Sequence, residues 1–541
     1  MRGFYLTFCL LWGQICTKSK EVFNNLSIGW DLYCLSVNRN VVMLNGLFIF
    51  RDVKRKMEFE TIIGLEVHAQ LMTKSKMYCR CSADYSSDTP NTHVCPVCMG
   101  MPGTLPTINK QAVEFGMMTA LALNCEISEY SKFDRKNYPY PDLMKGYQIS
   151  QFDYPVGIKG WMEIEAGGQK RKVGVTRVHL EEDVAKLAHH PSDNGESYTH
   201  VDVNRAGMPL MEIVGEPDLR SPDEAREYLV KLRSILQYLG VSTANMEEGS
   251  FRCDANISIR PVGTTEYLSK VEVKNMNSFK AVYKALEYEA VRQRKAFEKG
   301  EKIPQETRGW VEESGKTVSQ RSKEYAHDYR YFPEPDLPPL NISRQWVEAV
   351  RAKLPELPEA RRDRFMSQYG LPLYDANLLT VSKAMAEYFE QAVKASKSVS
   401  PKEISDWLLG PVSGIINADS ADIEKFSQKV TCERLVRLLE VNAAGTVSTA
   451  SAKTVLEEMY ISGRDADTII SEQGLGQISD SSEIEKCAVE IIAANPQAVA
   501  DYRAGKEQSL KFLVGQMMRL TRGRTNPNMA AELIKKKLEE G

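Results

Sequence analysis

Two kinds of residue group in this 541-residue chain could do chemistry: carboxylates and imidazoles at alternating spacing, and closely paired cysteines. In Ile62-Ile63-Gly64-Leu65-Glu66-Val67-His68-Ala69-Gln70-Leu71, a period of two sends Leu65, Val67, Ala69 and Leu71 one way and Glu66, His68 and Gln70 the other. A carboxylate beside an imidazole can hold a divalent cation or trade a proton. An ordinary half-buried strand with its polar face in water gives the same pattern, so companions must decide. Thr176–Asp183 ends a strand in three acids, Glu181, Glu182 and Asp183; Glu247–Asn256 puts Asp254 at the start of another; Glu272 sits between Val271 and Val273, with Lys274 on its own face. Each alone reads as a solvated polar face. Together, Glu66, His68, the acids Glu181, Glu182 and Asp183, Asp254 and Glu272 could line a sheet face with carboxylates whose mutual repulsion a cation relieves. Oxygen-rich ligands favour Mg2+ with a phosphate partner, which predicts an ATP–Mg2+ site on a sheet.

The cysteines are Cys79-Arg80-Cys81 and Cys95-Pro96-Val97-Cys98, followed by the turn formers Gly100, Pro102, Gly103 and Pro106. A C-x-C and a C-x2-C on tight turns can close a tetrahedral Zn2+ site; four sulfurs leave no open position, so the role expected is structural. Cations mixed with tyrosines in Lys132–Asp142, including Lys136, and Lys145 just beyond, suit phosphate or RNA contact. Near the C-terminus an amphipathic helix delivers Arg519, Arg522 and Arg524 to one end, as a phosphate-backbone contact or as a solvated helix end. A phosphate loop is missing: Ser314-Gly315-Lys316-Thr317 has its upstream glycine, Gly309, one residue too far away, and reads as a turn. Without a G-x-S-x-G elbow, a glutaminase step would need another chain.

These groups need a scaffold, and the length calls for two to four domains. A hydrophobic content of 43% and a charged content of 26% are those of a globular protein, and a net charge of -3 gives no global pull toward nucleic acid. The fold class expected is α+β: a mixed-sheet, cradle-like domain at 57–342, a helical domain at 343–420 and a small helical tail at 421–541. Alternating strands are expected at Gly160–Glu165, Lys172–Val178 and Asn256–Arg260. One helix starts at the box Ser221-Pro222-Asp223-Glu224 and closes at Gly240; another follows Asn277-Ser278 and runs to about Gly300. The proline-rich run 331–339 reads as a linker or a rigid edge segment. No run reaches the ~18 apolar residues of a membrane span. Phe4–Cys16 has the length of a signal-peptide core but lacks a clear cleavage site, and the expectation is that residues 1–56 are an extension preceding a true start at Met57.

The blocks Ile63–His68, Ser131–Asp142, His179–Asp183, Asn204–Leu210, Glu247–Asn256 and Tyr329–Asp336 resemble the B-subunit family of the aspartyl/glutamyl-tRNA amidotransferases, in order from Met57 to the C-terminus. The resemblance implies a cytoplasmic ligase that uses ATP and Mg2+ to phosphorylate the side-chain carboxylate of Glu-tRNA(Gln) or Asp-tRNA(Asn). Ammonia from a glutaminase A subunit then displaces the phosphate, within a heterotrimer that includes a small C subunit. It implies that Glu66, His68, Glu182, Asp254 and Glu272 surround the metal and phosphates, that Glu182 meets the end of the ammonia passage, and that Lys136 and Lys145 lie near that route. It also implies that the arginine-bearing tail binds tRNA. The rival expectation is a non-catalytic tRNA-binding scaffold.

Overall fold

Alternation, caps and turn residues set the elements of the sheet-bearing part. The computed structural model describes residues 58–85, 88–190, 197–264, 269–322, 329–476, 481–521, 525 and 527–540, and the backbone of 41–44 and 47–50. Met1–Glu60 with Pro261–Thr265 form one compact unit, and Thr61–Arg260 with Glu266–Gly541 form the other. In the first, Val41–Leu44 pairs antiparallel with Leu47–Phe50. The expectation of an N-terminal extension falls otherwise outside the described residues.

The strands that position the site are β1 (Phe59–Gln70), β2 (Asp134–Asn137), β3 (Tyr147–Ser150), β4 (Gly157–Ala166), β5 (Gln169–Glu182), β6 (Pro209–Gly215), β7 (Phe251–Pro261), β8 (Val271–Lys274), β9 (Glu306–Val311), β10 (Lys316–Ser322) and β11 (Phe332–Pro333). They join a twelve-stranded sheet in the order β10-β9-β8-β7-β1-β6-β5-β3-β2-β11, with β4 beside β5. Most pairings are antiparallel; β8 and β9 run parallel, so the sheet is mixed. The three strands foreseen lie inside β4, β5 and β7, which extend further because backbone pairing outlasts the strict alternation. The hairpin β4–β5 turns on Gly167 and Gly168, both at positive φ as a two-residue primed turn requires. Of the expected turn Ser314–Thr317, Ser314 and Gly315 lie in the turn joining β9 to β10, whereas Lys316 and Thr317 already open β10 and pair with Val311 and Trp310.

Three helices cover one face: α1 (Lys110–Ala122), α2 (Pro222–Leu239) and α3 (Phe279–Glu298). Ser221 caps α2 on the amide of Glu224, and Gly240 ends it in the left-handed conformation. Ser278 caps α3 on Ala281. Gly116 allows α1 to approach β5, since a Cβ there would lie 3.1 Å from Leu180 Cδ2. Leu65, Val67, Ala69, Val178, Leu180, Ala255, Ile257, Val271 and Val273 are all buried under these helices. Each large apolar side chain among them stabilises the fold by about 2 kcal/mol. The opposite face is free to carry charge.

The proline-rich run is an edge segment: β11 pairs with β2, and Arg135 clamps Glu334 through two hydrogen bonds of 2.6 Å. From Arg344 onward the described elements are helices. One core gathers buried residues from Phe365 to Ile470, spanning the domain boundary expected between 420 and 421, and a separate one runs from Ile484 to Leu538. Among the described residues no helix is long and apolar enough to cross a membrane.

Candidate functional site

The helix-free face of the sheet gathers its charges around His68. In β1 the apolar residues Leu65, Val67 and Ala69 are buried, whereas Glu66, His68 and Gln70 are partly exposed on the other side. Register brings Glu212 of β6 opposite both His68 of β1 and His179 of β5. His68 Nε2 lies 3.3 Å from Glu212 Oε2 and 3.8 Å from both Glu66 Oε1 and Glu181 Oε1. His179 Nε2 is also 3.3 Å from Glu212 Oε2. On the other flank, β7 and β8 present Asp254 and Glu272, with Lys274 paired to Asp254 and 3.4 Å from Glu272; Glu272 accepts a hydrogen bond of 2.7 Å from Thr307.

Two sets of side chains can therefore each converge on a cation, Glu66–His68–Asp254 and His68–Glu181–Glu212, with ligand atoms within 4.8 Å of one another in each set. Their electrostatics fit that use. Burial and the charge of Glu212 push Glu66 above its ordinary value. Burial works against the charged imidazole of His68, but its hydrogen bond to Glu212 and the charges of Glu212, Glu181 and Glu66 prevail, raising it to about 9. Burial likewise opposes ionisation of Glu212, yet His179 and His68 hold it well below its usual range. Lys274 is raised by Asp254 and Glu272 against the effect of burial. The field that keeps a proton on His68 is one that a divalent ion would satisfy, and a mostly oxygen donor set suits Mg2+.

Of the residues singled out by sequence, the structure brings Glu66, His68 and Asp254 together and sets Glu272 beside them through Lys274. It does not bring Glu182 to that cluster. Successive strand residues face opposite ways, so at the end of β5 it is Glu181 that shares a face with His68. Glu182 turns to the other side, where it pairs with Lys145 and accepts from the Ile149 amide at 3.0 Å. This pair borders a small, partly open cavity of about 70 Å3 that is also lined by Tyr78, Cys98, Gly207 and Asp336. Lys136 packs over the rings of Tyr329 and Tyr138, at 5.1 and 5.9 Å; the charges of Glu181, Tyr331 and Glu212 raise it against burial.

Glu181, Glu212 and His179 are the residues that the sequence reading missed. The signal was present: His179-x-Glu181 mirrors Glu66-x-His68, and Glu212 is a lone acid inside the apolar run Pro209–Val214. Which of the adjacent acids Glu181 and Glu182 faces His68 depends on strand register, which no motif states.

Cys79, Cys81, Cys95 and Cys98 converge with their sulfurs within 4.8 Å of one another. The Cys95 amide donates to Cys98 Sγ at 3.1 Å, and a hydrogen bond from Cys79 holds the Cys98 thiol down at about 5. Four sulfurs fit a closed tetrahedral metal site. Arg519 is exposed in the last turn of Gln508–Leu520, whereas Arg522 and Arg524 lie outside the described residues.

Residues 61–348 match the family described as GatB/GatE catalytic domain, and 387–538 match the GatB domain. A relative from Dehalococcoides mccartyi is 62% identical over 492 residues, covering 90% of this chain and 100% of its own; it is named as the B subunit of aspartyl/glutamyl-tRNA(Asn/Gln) amidotransferase. Relatives of the same name from Carboxydothermus hydrogenoformans and Moorella thermoacetica are each 53% identical, covering 89% of this chain and 99% and 100% of their own. With both domains matched and identity of this depth over nine-tenths of its length, the chain belongs to the B-subunit family of the aspartyl/glutamyl-tRNA(Asn/Gln) amidotransferases.

Proposed function

We propose that this chain converts the side-chain carboxylate of glutamate on tRNA(Gln), or aspartate on tRNA(Asn), into an amide at the expense of ATP. A carboxylate is a poor electrophile, so one of its oxygens first attacks the γ-phosphorus of ATP and ADP leaves. Ammonia then attacks the acyl carbon, phosphate leaves, and one proton is lost. The observation that carries this reading is the pair of cation-capable groups meeting at His68 on the open sheet face. Glu66, His68, Asp254, Glu181 and Glu212 would hold magnesium, with Glu272 fixing the position of Lys274 beside them. Magnesium, when bound, screens the charge of the phosphates against the incoming carboxylate.

The chain's own groups divide the remaining work. Lys274 balances the acidic face, so that it does not repel an anionic substrate outright, and His68 would give up its proton on ligating the cation. Glu182, on the other side of the sheet, stands beside the small cavity with Lys145 and would meet ammonia at the end of its passage. Lys136 adds a cation over tyrosines on the side of Glu181 and Glu212. The ammonia comes from a glutaminase A subunit in a cytoplasmic heterotrimer with a small C subunit, and Arg519, with Arg522 and Arg524, contacts the tRNA backbone. The cysteine group holds structural Zn2+.

The test is an amidation assay of the purified heterotrimer with each mischarged tRNA. Amide formation should require ATP, Mg2+ and either glutamine or ammonium. Amide formed at full rate without ATP would overturn the reading. A chain that binds tRNA but leaves amidation unchanged when Asp254 is replaced by Asn would be a scaffold instead.

A further inference from the structure

Lys76 is fully buried, with no exposed surface at all. Its ammonium donates to the carbonyl oxygens of His93 at 2.8 Å and Val203 at 3.3 Å, and lies 4.0 Å from Cys98 Sγ. No carboxylate among the described residues lies within 4 Å of it. Glu182, across Gly207, is already paired with Lys145. A buried ammonium costs several kcal/mol unless an anion compensates it, and two carbonyl dipoles compensate only in part. The anion must therefore come from the remaining neighbour, the sulfur cluster.

We propose that Lys76 is the built-in counter-ion of a divalent metal held by the thiolates of Cys79, Cys81, Cys95 and Cys98. This rests on reading those cysteines as a metal site and is independent of the amidation chemistry. Four thiolates around a divalent cation leave a net charge of about −2, and the buried ammonium cancels half of it. Lys76 belongs to the same turn as the first cysteine pair, since its amide donates to the Cys81 carbonyl at 3.0 Å. Its stem passes Gly207, where a Cβ would lie 3.5 Å from Lys76 Cδ and 3.6 Å from Cys98 Cβ. The neighbouring Met77 amide donates to the Gly207 carbonyl at 2.7 Å. The lysine thus ties the metal knuckle to loop 203–207, which feeds directly into β6 and its Glu212. It is a positioning residue, acting through the metal centre.

The experiment measures zinc affinity by competition with a chromophoric chelator, using the full chain, Lys76→Met and Lys76→Arg, each checked for native circular dichroism. Lys76→Met should bind zinc about ten- to a hundredfold more weakly, the usual cost of losing a group that supports metal ligands, and Lys76→Arg should recover most of the loss. The cobalt-substituted wild-type chain should show the intense thiolate charge-transfer and tetrahedral d–d bands of a four-sulfur site. Affinity within threefold of wild type in Lys76→Met, an arginine variant as weak as the methionine one, or a wild-type cobalt spectrum without four sulfurs would each overturn the proposal. If Lys76→Met does not fold, amine acetylation of the wild-type chain decides: Lys76 should be protected with zinc and labelled after its removal. Protection that persists without zinc would overturn the assignment.

Discussion

His68 is held by three carboxylates within 4 Å, and the shortest contact, to Glu212, is the one that decides its charge. Replacing Glu212 by Gln removes the hydrogen-bonded partner that overcomes burial. The His68 imidazole, raised to about 9 in the native protein, should then titrate at lower pH, and histidine ring signals in NMR would show the shift. Glu181 and Glu182 offer a sharper contrast, since adjacent residues on one strand serve different sides. Glu181→Gln should abolish tRNA-dependent release of ADP. Glu182→Gln should leave ADP release standing and lose amide formation, measured with the same mischarged tRNA. Equal loss of both steps in both variants would mean that the two acids do not divide the work. At this scale the sequence was half legible. Alternation showed that Glu66, His68, Asp254 and Glu272 point away from a core. The choice between Glu181 and Glu182 needed the pairing of β5 with β6, and Glu212 was masked by the apolar residues that surround it.

Among the elements, β1, β5 and β7 are tied together by Asp183, which is buried and receives hydrogen bonds of 2.7 Å from Gln70 and Arg252. Burial alone would raise its pKa, but Arg252, Arg205 and Gln70 hold it below the ordinary aspartate value. A carboxylate depressed in this way stabilises the fold fully above its unfolded pKa, and the contribution is lost as pH falls through the folded value. Asp183→Asn should cost about 3 kcal/mol at neutral pH, the order expected for breaking a buried ion pair. The gap in melting temperature between this variant and wild type should narrow below the aspartate range; a gap that stays constant into acid would contradict the assignment. Ser221→Ala, which removes a cap, should cost about 1 kcal/mol by the same measurement. The capped helices were the most legible elements, because Ser221, Gly240 and Ser278 act through local geometry. Strand ends and the edge pairing of Phe332–Pro333 were less so, because they are set by distant partners such as Arg135 and Glu334.

The whole molecule combines a charged sheet face, a four-cysteine cluster and helical cores built from the rest of the described chain. Zinc removal should lower the melting of the sheet-bearing part, while tRNA affinity, which the proposal assigns mainly to the tail, should stay within about threefold; calorimetry and filter binding would report the two. Fold class followed from the change of periodicity along the chain, whereas the extent of each helical core was set by packing that no local pattern records. In the proposed function, the carboxylates around His68 hold the cation that activates the tRNA-borne carboxylate. Magnesium-dependent ADP release by the heterotrimer on mischarged tRNA, compared between wild type, Glu212→Gln and Asp254→Asn, puts that role to the test. Both variants should lose at least a hundredfold with tRNA affinity unchanged, about 2.7 kcal/mol of transition-state stabilisation. ADP release at wild-type rate and magnesium dependence in either variant would refute a cation site at His68.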